Sequence, residues 1–300
     1  MRPSPRWLRF LDDLWPQDPE AVRALQEIMG YALTPDTRQQ KLFLLVGPKR
    51  SGKGTIGRVI TQILGTANVC APTLSSLSTN FGLAPLMGKQ LAIISDARLG
   101  SRADQHAISE RLLSISGEDG ITIDRKFLPG WTGRLAARFL ILTNELPRLA
   151  DASGALASRF IVLTLEQSFY GKEDLELTEH LLGELPGIFN WAIAGWQRLQ
   201  ERGHFQQPSS SQDAIAELYD LGSPVGAFIR ERCTVGRGHT IECRVMFDQW
   251  KEWCTEQGRD RPGTLQTFGR DLRAAVAGLK TTQPRVEGRR ERHFEGIRLA

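Results

Sequence analysis

Nine residues constrain this chain more than any others: Gly47, Pro48, Lys49, Arg50, Ser51, Gly52, Lys53, Gly54 and Thr55. They follow an apolar run, Lys41 to Val46, that reads as a short buried strand. They open a helical pattern from about Lys53 to Leu64, with Gly65 as its stop. A glycine-rich turn in that setting lets backbone N–H groups converge, and the start of the next helix adds positive potential. The segment therefore reads as a cradle for the phosphates of ATP, with the Lys53 ammonium reaching the terminal ones. In such loops a Ser or Thr usually follows the lysine and binds Mg²⁺. Here Gly54 takes that place, so either Thr55 supplies the hydroxyl or the ion meets the protein through water.

The same alternation continues downstream. The run from Gln90 to Ser95 is a second apolar strand, and it delivers Asp96 where an acid can serve the metal or the attacking water. A helix is expected from Asp104 to Ser116, ending at Gly117, after which Glu118 and Asp119 are candidates for a second carboxylate. Strands are expected over Gly120 to Phe127 and Leu135 to Thr143, joined by a turn at Leu128 to Gly133. The second of these ends in Asn144, an amide that can orient water and sense a terminal phosphate. One more strand is expected over Arg159 to Leu165, and Arg159 can stabilise charge at a neighbouring subunit's phosphate; Arg148 competes for that role.

Strands alternating with helices predict an α/β sheet with helices on its faces. At 300 residues the chain suggests roughly two domains. A helical lead-in is expected over 1–40, where Asp18 caps a helix that has Pro19 at its first position. The α/β domain is expected over 41–205, closing with helices in which Phe189, Trp191, Ile193, Trp196 and Leu199 pack inward. The polar run Gln206 to Gln212 reads as a boundary or hinge. A small domain follows, over 206–300: helices near Pro224–Cys233, Val245–Gln257 and Thr264–Leu279, then two strands turning at Gly288, a pattern that matches a winged helix.

Composition narrows the setting. The apolar runs are too short to span a bilayer, and Arg2, Arg6 and Arg9 are not followed by the apolar stretch of a signal peptide, so a soluble cytoplasmic protein is expected. Cys70, Cys233, Cys243 and Cys254 lack metal-ligand spacing and read as reduced thiols. Net charge is +4, and the excess of Lys and Arg lies beyond Leu221, as a nucleic-acid partner would favour.

Two segments can touch DNA. Arg125 and Lys126, with Trp131 in the turn, form a hairpin whose cations and aromatic ring suit a sugar-phosphate backbone and a base face. In the tail, Leu265, Phe268, Leu272 and Val276 share one helical face, which turns Arg270 and Arg273 outward. Arg289 and Arg290 belong to the following wing.

The order of Gly47–Thr55, Leu91–Asp96, Gly117–Lys126, Asn144–Arg148 and Ser153–Phe160 resembles the superfamily 3 helicase domain, in particular that of the phage/plasmid primase–helicase family, whose relatives include poxvirus primase-helicases. The resemblance implies an AAA+-type P-loop core in a ring, usually a hexamer, with ATP between subunits in a bacterial host's cytoplasm. It implies that Lys53 binds phosphate, that Asp96 serves the metal and water, that Asn144 is the sensor and that Arg159 is a finger acting across the interface; Thr55 stays a candidate Mg²⁺ ligand beside Asp96 on the residues. It also implies that the hairpin enters a central channel holding single-stranded DNA; duplex at the winged helix is an expectation from the outward Arg270 and Arg273. The single acid at Asp96, and Ser158 where relatives often carry a second Arg, depart from the pattern. Relatives often have a primase domain ahead of the helicase, so either a separate primase is a partner or this is a fragment or reduced helicase. Two other classes remain open on the residues alone. A kinase of a nucleoside-type substrate is suggested by Gly52-Lys53-Gly54-Thr55, and a DNA-binding or origin-recognition module would bind nucleotide without hydrolysing it.

Overall fold

The computed structural model describes residues 4–97, 99, 104–283, 285–286 and 289–300, with backbone alone at 285, 286, 289 and 290. They form a mixed α/β protein of two compact units. The first runs up to Leu149 and resumes over Ser158–Leu218; the second takes Ala150–Ala157 and everything from Tyr219. The division thus falls beyond Leu218, whereas Gln206 to Gln212 lies within the first unit.

In the first unit, α1 (Pro5–Leu14) and α2 (Pro19–Ala32) form the lead-in. Asp18 caps α2 as its sequence predicts, accepting the Ala21 N–H at 3.0 Å behind Pro19. The strands are β1 (Leu42–Val46), β2 (Val69–Cys70), β3 (Leu91–Ser95), β4 (Ile121–Arg125), β5 (Leu128–Gly133), β6 (Arg138–Thr143) and β7 (Phe160–Thr164). Five of them make a parallel sheet in the order β2-β3-β6-β1-β7. Its central strands are buried along their length, which is why they read as continuous apolar runs. The helices are α3 (Lys53–Leu64), α4 (Gln105–Ser116), α5 (Ala155–Arg159), α6 (Leu177–Leu182), α7 (Leu185–Arg202) and α8 (Gln212–Gly222), of which α5 and α8 cross the division between units.

Three sequence expectations are corrected in this unit. The stretch Leu128 to Gly133 is no turn but the strand β5, pairing antiparallel with β4 and leaving Lys126 and Phe127 as a two-residue tip. The Pro129-Gly130 signal misleads because this is a two-stranded ribbon, where an edge proline costs no ladder bond. Of the residues expected inward on α7, Leu199 is buried and Trp191 packs half-buried against the core, its ring edge-on to Trp7 at 5.5 Å, whereas Ile193 and Trp196 are half-buried and Phe189 is exposed. The buried face is Gly187, Ile188, Ala192, Gly195 and Leu199. Its small residues let α2 come so close that a Cβ on Gly30 would stand 2.1 Å from the Ala192 oxygen. Finally, Gln206 to Gln212 is docked rather than hinge-like. The Gln207 amide accepts from the Val162 N–H at 3.0 Å and donates to its C=O at 2.7 Å, and the buried Ser211 hydroxyl accepts from the Thr164 N–H at 3.1 Å. These contacts cover the outer edge of β7, which would otherwise lie open.

The second unit contains α9 (Pro224–Arg232), β8 (Cys233–Glu242), α10 (Cys243–Glu256), α11 (Leu265–Ala275), β9 (Lys280–Thr282), β10 (Arg285–Val286), β11 (Arg289–Arg290) and β12 (His293–Leu299). A three-stranded sheet in the order β8-β12-β9 packs with the helices around Phe228, Trp250, Trp253, Phe268 and Phe294. Trp250 stacks on Trp253 and on Phe268, with centroids 5.3 and 5.4 Å apart. Sequence reasoning missed β8, whose two glycines interrupt any strand pattern; residues 236–239 bulge out where pairing jumps from Thr240–Glu295 to Val235–Ile297. Leu265, expected to be buried, is exposed at the first position of α11, because the inward face begins at Phe268. Among the described residues, no helix is long and apolar enough to cross a membrane.

Candidate functional site

The loop after β1 is shaped by its glycines. Gly52 has a φ of +85°, a left-handed conformation that closes the turn just before α3. A Cβ there would stand 2.8 Å from the Leu14 side chain and 3.2 Å from the Phe10 ring, so α1 packs directly onto the loop. That helix is held in place by Glu184, whose carboxylate accepts the Arg6 and Trp7 N–H groups at 3.2 and 3.1 Å. On its other flank the loop is tied to the segment after β7. The Ser168 hydroxyl donates to the Lys49 oxygen at 2.9 Å, and the Phe169 N–H donates to the Arg50 oxygen at 3.0 Å.

Lys53 folds back into this turn. Its ammonium donates to the Gly47 and Pro48 oxygens at 2.7 Å each and to the Ser51 hydroxyl at 2.9 Å. Burial pushes its pKa down, while these three acceptors are bonds that an entering phosphate oxygen can replace. Above the loop lies an open cavity of about 850 Å³. Its floor is residues 49–55, one wall is Arg6, Arg9, Phe10 and Asp13 of α1, and the other comes from the 169–180 segment. The lining cations Arg6, Arg9, Lys49, Arg50, Lys53, Arg58 and Lys172 outnumber Asp13, Glu173 and Asp174, which suits a polyanion.

Sheet order brings the other expected residues to the same edge. β6 lies between β1 and β3, so Asn144 stands at the strand end between the loop and Asp96. The Gly47 N–H donates to the Thr143 oxygen at 3.2 Å, and the Asp96 N–H to the Leu142 oxygen at 2.8 Å. Asn144 lines the cavity. Asp96 is exposed, with a φ of +69°, two strands from the loop at a separation of roughly 10 Å by ordinary strand spacing. The Thr55 hydroxyl, a candidate Mg²⁺ ligand, accepts from Arg58 Nη2 at 3.1 Å. Arg58 had no role in the sequence reading, although a residue three positions beyond Thr55 shares its helical face.

Arg159 stands elsewhere. It immediately precedes Phe160, which pairs with Leu42 at the start of β1, so it occupies the sheet edge opposite the Lys53 loop. There Arg159 Nη1 donates to the Leu113 oxygen at 2.6 Å and the Ser116 hydroxyl at 2.8 Å, both at the end of α4. Glu118 lies at this same end, accepting a hydrogen bond from the Thr37 hydroxyl, and Asp119 follows it. Neither joins Asp96 within one chain. Arg148 is exposed on the segment after β6.

The β4–β5 hairpin presents its tip to solvent. Phe127 is 93% exposed, has a φ of +61°, and lies with its ring centroid 5.2 Å from Lys126 Nζ. Arg125 is tied inside the ribbon, donating to the Pro129 oxygen at 2.9 Å. Trp131 is not at the tip: it pairs with Ile123, half-buried, its ring folded over Gly133. The tip aromatic that sequence reasoning missed is Phe127. No Gly or Asn marks this turn, so nothing local announces it. In the second unit Arg270 and Arg273 are exposed on α11, paired with Asp271 at 3.0 Å and with the Thr281 hydroxyl at 3.3 Å. The side chains of Arg289 and Arg290 lie outside the described residues.

Residues 45–159, from the end of β1 to Arg159, match the model of a family of unknown function, DUF5906. The whole chain is similar in fold to the C-terminal region of NrS-1. One apo structure of that region, spanning its residues 305–718, is 13% identical with a TM-score of 0.58, covering 98% of this chain and 76% of the other. An A-form apo structure of the region is 12% identical with a TM-score of 0.56, covering 97% and 75%. At such identities the likeness is one of fold.

Proposed function

We propose that this chain is an ATP-dependent DNA helicase of a phage-, prophage- or plasmid-type replication system, assembling as a ring, most simply a hexamer, with ATP and Mg²⁺ between subunits. The observation that carries the reading is the separation of two halves of a phosphoryl-transfer site. Lys53, Asn144 and Asp96 stand at one edge of the parallel sheet, and Arg159 stands at the other. Copies arranged head to tail would bring one copy's Arg159 to the next copy's phosphates. In each copy Lys53 would exchange its loop acceptors for phosphate oxygens, Asp96 and Thr55 would serve Mg²⁺, and Asn144 would orient the attacking water. The bound metal would supply charge neutralisation of the phosphates.

The remaining features fit a DNA motor. A cation beside an exposed aromatic at a ribbon tip suits a single strand in a central channel, one for the backbone and one for a base. Phe127 in a left-handed conformation costs about 1–2 kcal/mol, and strain of this kind clusters at functional positions. In the second unit the order helix, strand, helix, helix, followed by four strands of which β9 and β12 join β8 in one sheet, supports the winged-helix reading, with α11 as the helix offered to duplex DNA.

The test is steady-state ATP hydrolysis with and without single-stranded DNA. Turnover that DNA stimulates, and that Lys53→Ala abolishes, is the expected result. Phosphoryl transfer to a nucleoside monophosphate would replace this reading with a kinase. Nucleotide binding without any turnover would replace it with a passive DNA-binding module.

A further inference from the structure

The geometry points to Arg58 as a second phosphate-binding cation, seated where Gly54 leaves room for it, that makes the site prefer a nucleoside triphosphate over a diphosphate. This inference rests on the nucleotide reading of the Lys53 loop and assigns a group that reading does not use.

Three observations carry it. First, Arg58 lines the 850 Å³ cavity together with Lys53 and Thr55, rather than pointing along the outside of α3. Second, its guanidinium is held on two sides within the first turns of α3: Nη2 donates to the Thr55 hydroxyl at 3.1 Å, and Nε donates to the Thr178 hydroxyl of α6 at 3.2 Å. Nη1 has no protein acceptor among the described residues. Third, Nη1 lies over Gly54, where a Cβ would stand 3.4 Å from it. A Ser or Thr in place of Gly54 would put a side chain into that space. A Cβ at that distance would meet Nη1 in ordinary van der Waals contact, so the glycine leaves the guanidinium free space without being required for its placement.

The chemistry follows from the number of charges. Lys53 is a single point charge with three donors, all directed into the loop. A triphosphate carries one more anionic group than a diphosphate, and a guanidinium fork binds phosphate oxygens through paired N–H groups. With Nε and Nη2 anchored on hydroxyls, Arg58 is already oriented, so little rotamer freedom remains to be lost when Nη1 meets an oxygen. The same contact leaves Thr55 shared. Its oxygen accepts from Arg58 and has a second lone pair for a metal-bound water or the ion.

The experiment measures dissociation constants for ATP, ADP and base-free inorganic tripolyphosphate on the full chain by titration calorimetry. Arg58→Gln, which keeps length and hydrogen bonding but removes the charge, is expected to weaken ATP and tripolyphosphate roughly tenfold while ADP changes less than about threefold. Arg58→Lys is expected to recover part of the ATP preference. Equal losses for ATP and ADP in Arg58→Gln would mean the residue only ties α3 to α6, and would overturn the inference, as would no loss at all. Should Arg58→Gln not fold, Thr178→Val gives an independent reading. It removes the hydroxyl that anchors Arg58 Nε and is expected to lower the ATP preference; an unchanged preference overturns the inference. Failure of the wild-type chain to bind any of the three ligands would instead remove the nucleotide reading beneath it.

Discussion

Lys53 and Arg159 occupy opposite edges of one parallel sheet. Arg159 abuts Phe160, the partner of Leu42 where β1 begins, and Lys53 follows the loop that leaves β1 at Val46. A five-residue strand and a loop separate them, so no side-chain rotation brings Arg159 to a phosphate on Lys53 of its own chain.

The first prediction concerns turnover shared between copies. Lys53→Ala and Arg159→Ala are each expected to lower ATP hydrolysis by about 10³-fold or more. Mixing the two variants should restore a measurable fraction, because some interfaces then pair an intact Lys53 with an intact Arg159. Activity of the mixture no higher than the sum of its parts would rule out an arginine acting across the interface.

A second prediction separates binding from folding at the hairpin tip. Phe127 is exposed and strained, so Phe127→Gly is expected to leave the thermal midpoint unchanged or slightly higher. The same substitution should weaken single-stranded DNA binding by about 1–3 kcal/mol through the lost stacking. Lys126→Ala should weaken binding to all sequences and reduce the slope of log affinity against log salt by about one. Fluorescence anisotropy across a salt series reads both effects.

The third prediction tests the contact between the lead-in and the helix after β7. Gly30→Ala would push a methyl group to 2.1 Å from the Ala192 backbone oxygen, and backbone cannot swing aside as a side chain can. Helices α2 and α7 must then separate, at a cost of about 1–3 kcal/mol or more, read as a lower urea midpoint with an unchanged slope. An unchanged midpoint would show that this close approach is not a determinant of stability.

The fourth concerns alkaline pH. Burial pushes the Tyr31 phenol up to about 12, above its ordinary value of 10.0. The folded chain therefore favours the protonated ring. The stability this contributes is complete below pH 10 and is lost as pH rises from 10 through about 12. Tyr31→Phe starts lower, because the Gln39 N–H loses its 3.3 Å acceptor, but is expected to lose less stability between about pH 9 and about pH 11. Parallel decline of both proteins across that range would assign the alkaline loss to other groups.

Much of this protein was legible in its sequence because the governing interactions are local. Asp18, Asp104 and Thr264 each meet a backbone N–H three residues on, so their helices begin where the residue types predict. Gly65 stops α3, and the apolar runs at 42–46, 91–95, 138–143 and 160–164 are strands because a sheet covered on both faces needs no alternation. The Gly52–Lys53 turn followed from the same short-range logic. Long-range contacts decided the rest. Pairing of β4 with β5 rather than β6, and hence Phe127 rather than Trp131 at the tip, depends on which strands the sheet admits. The cover of α1 over the loop joins Arg6 and Trp7 to Glu184, a partner some 180 residues away that no local pattern announces. Strand direction, not motif order, sets Arg159 at the end of the sheet away from Lys53, because in a parallel pair the residue before one strand and the loop after its neighbour lie at opposite ends.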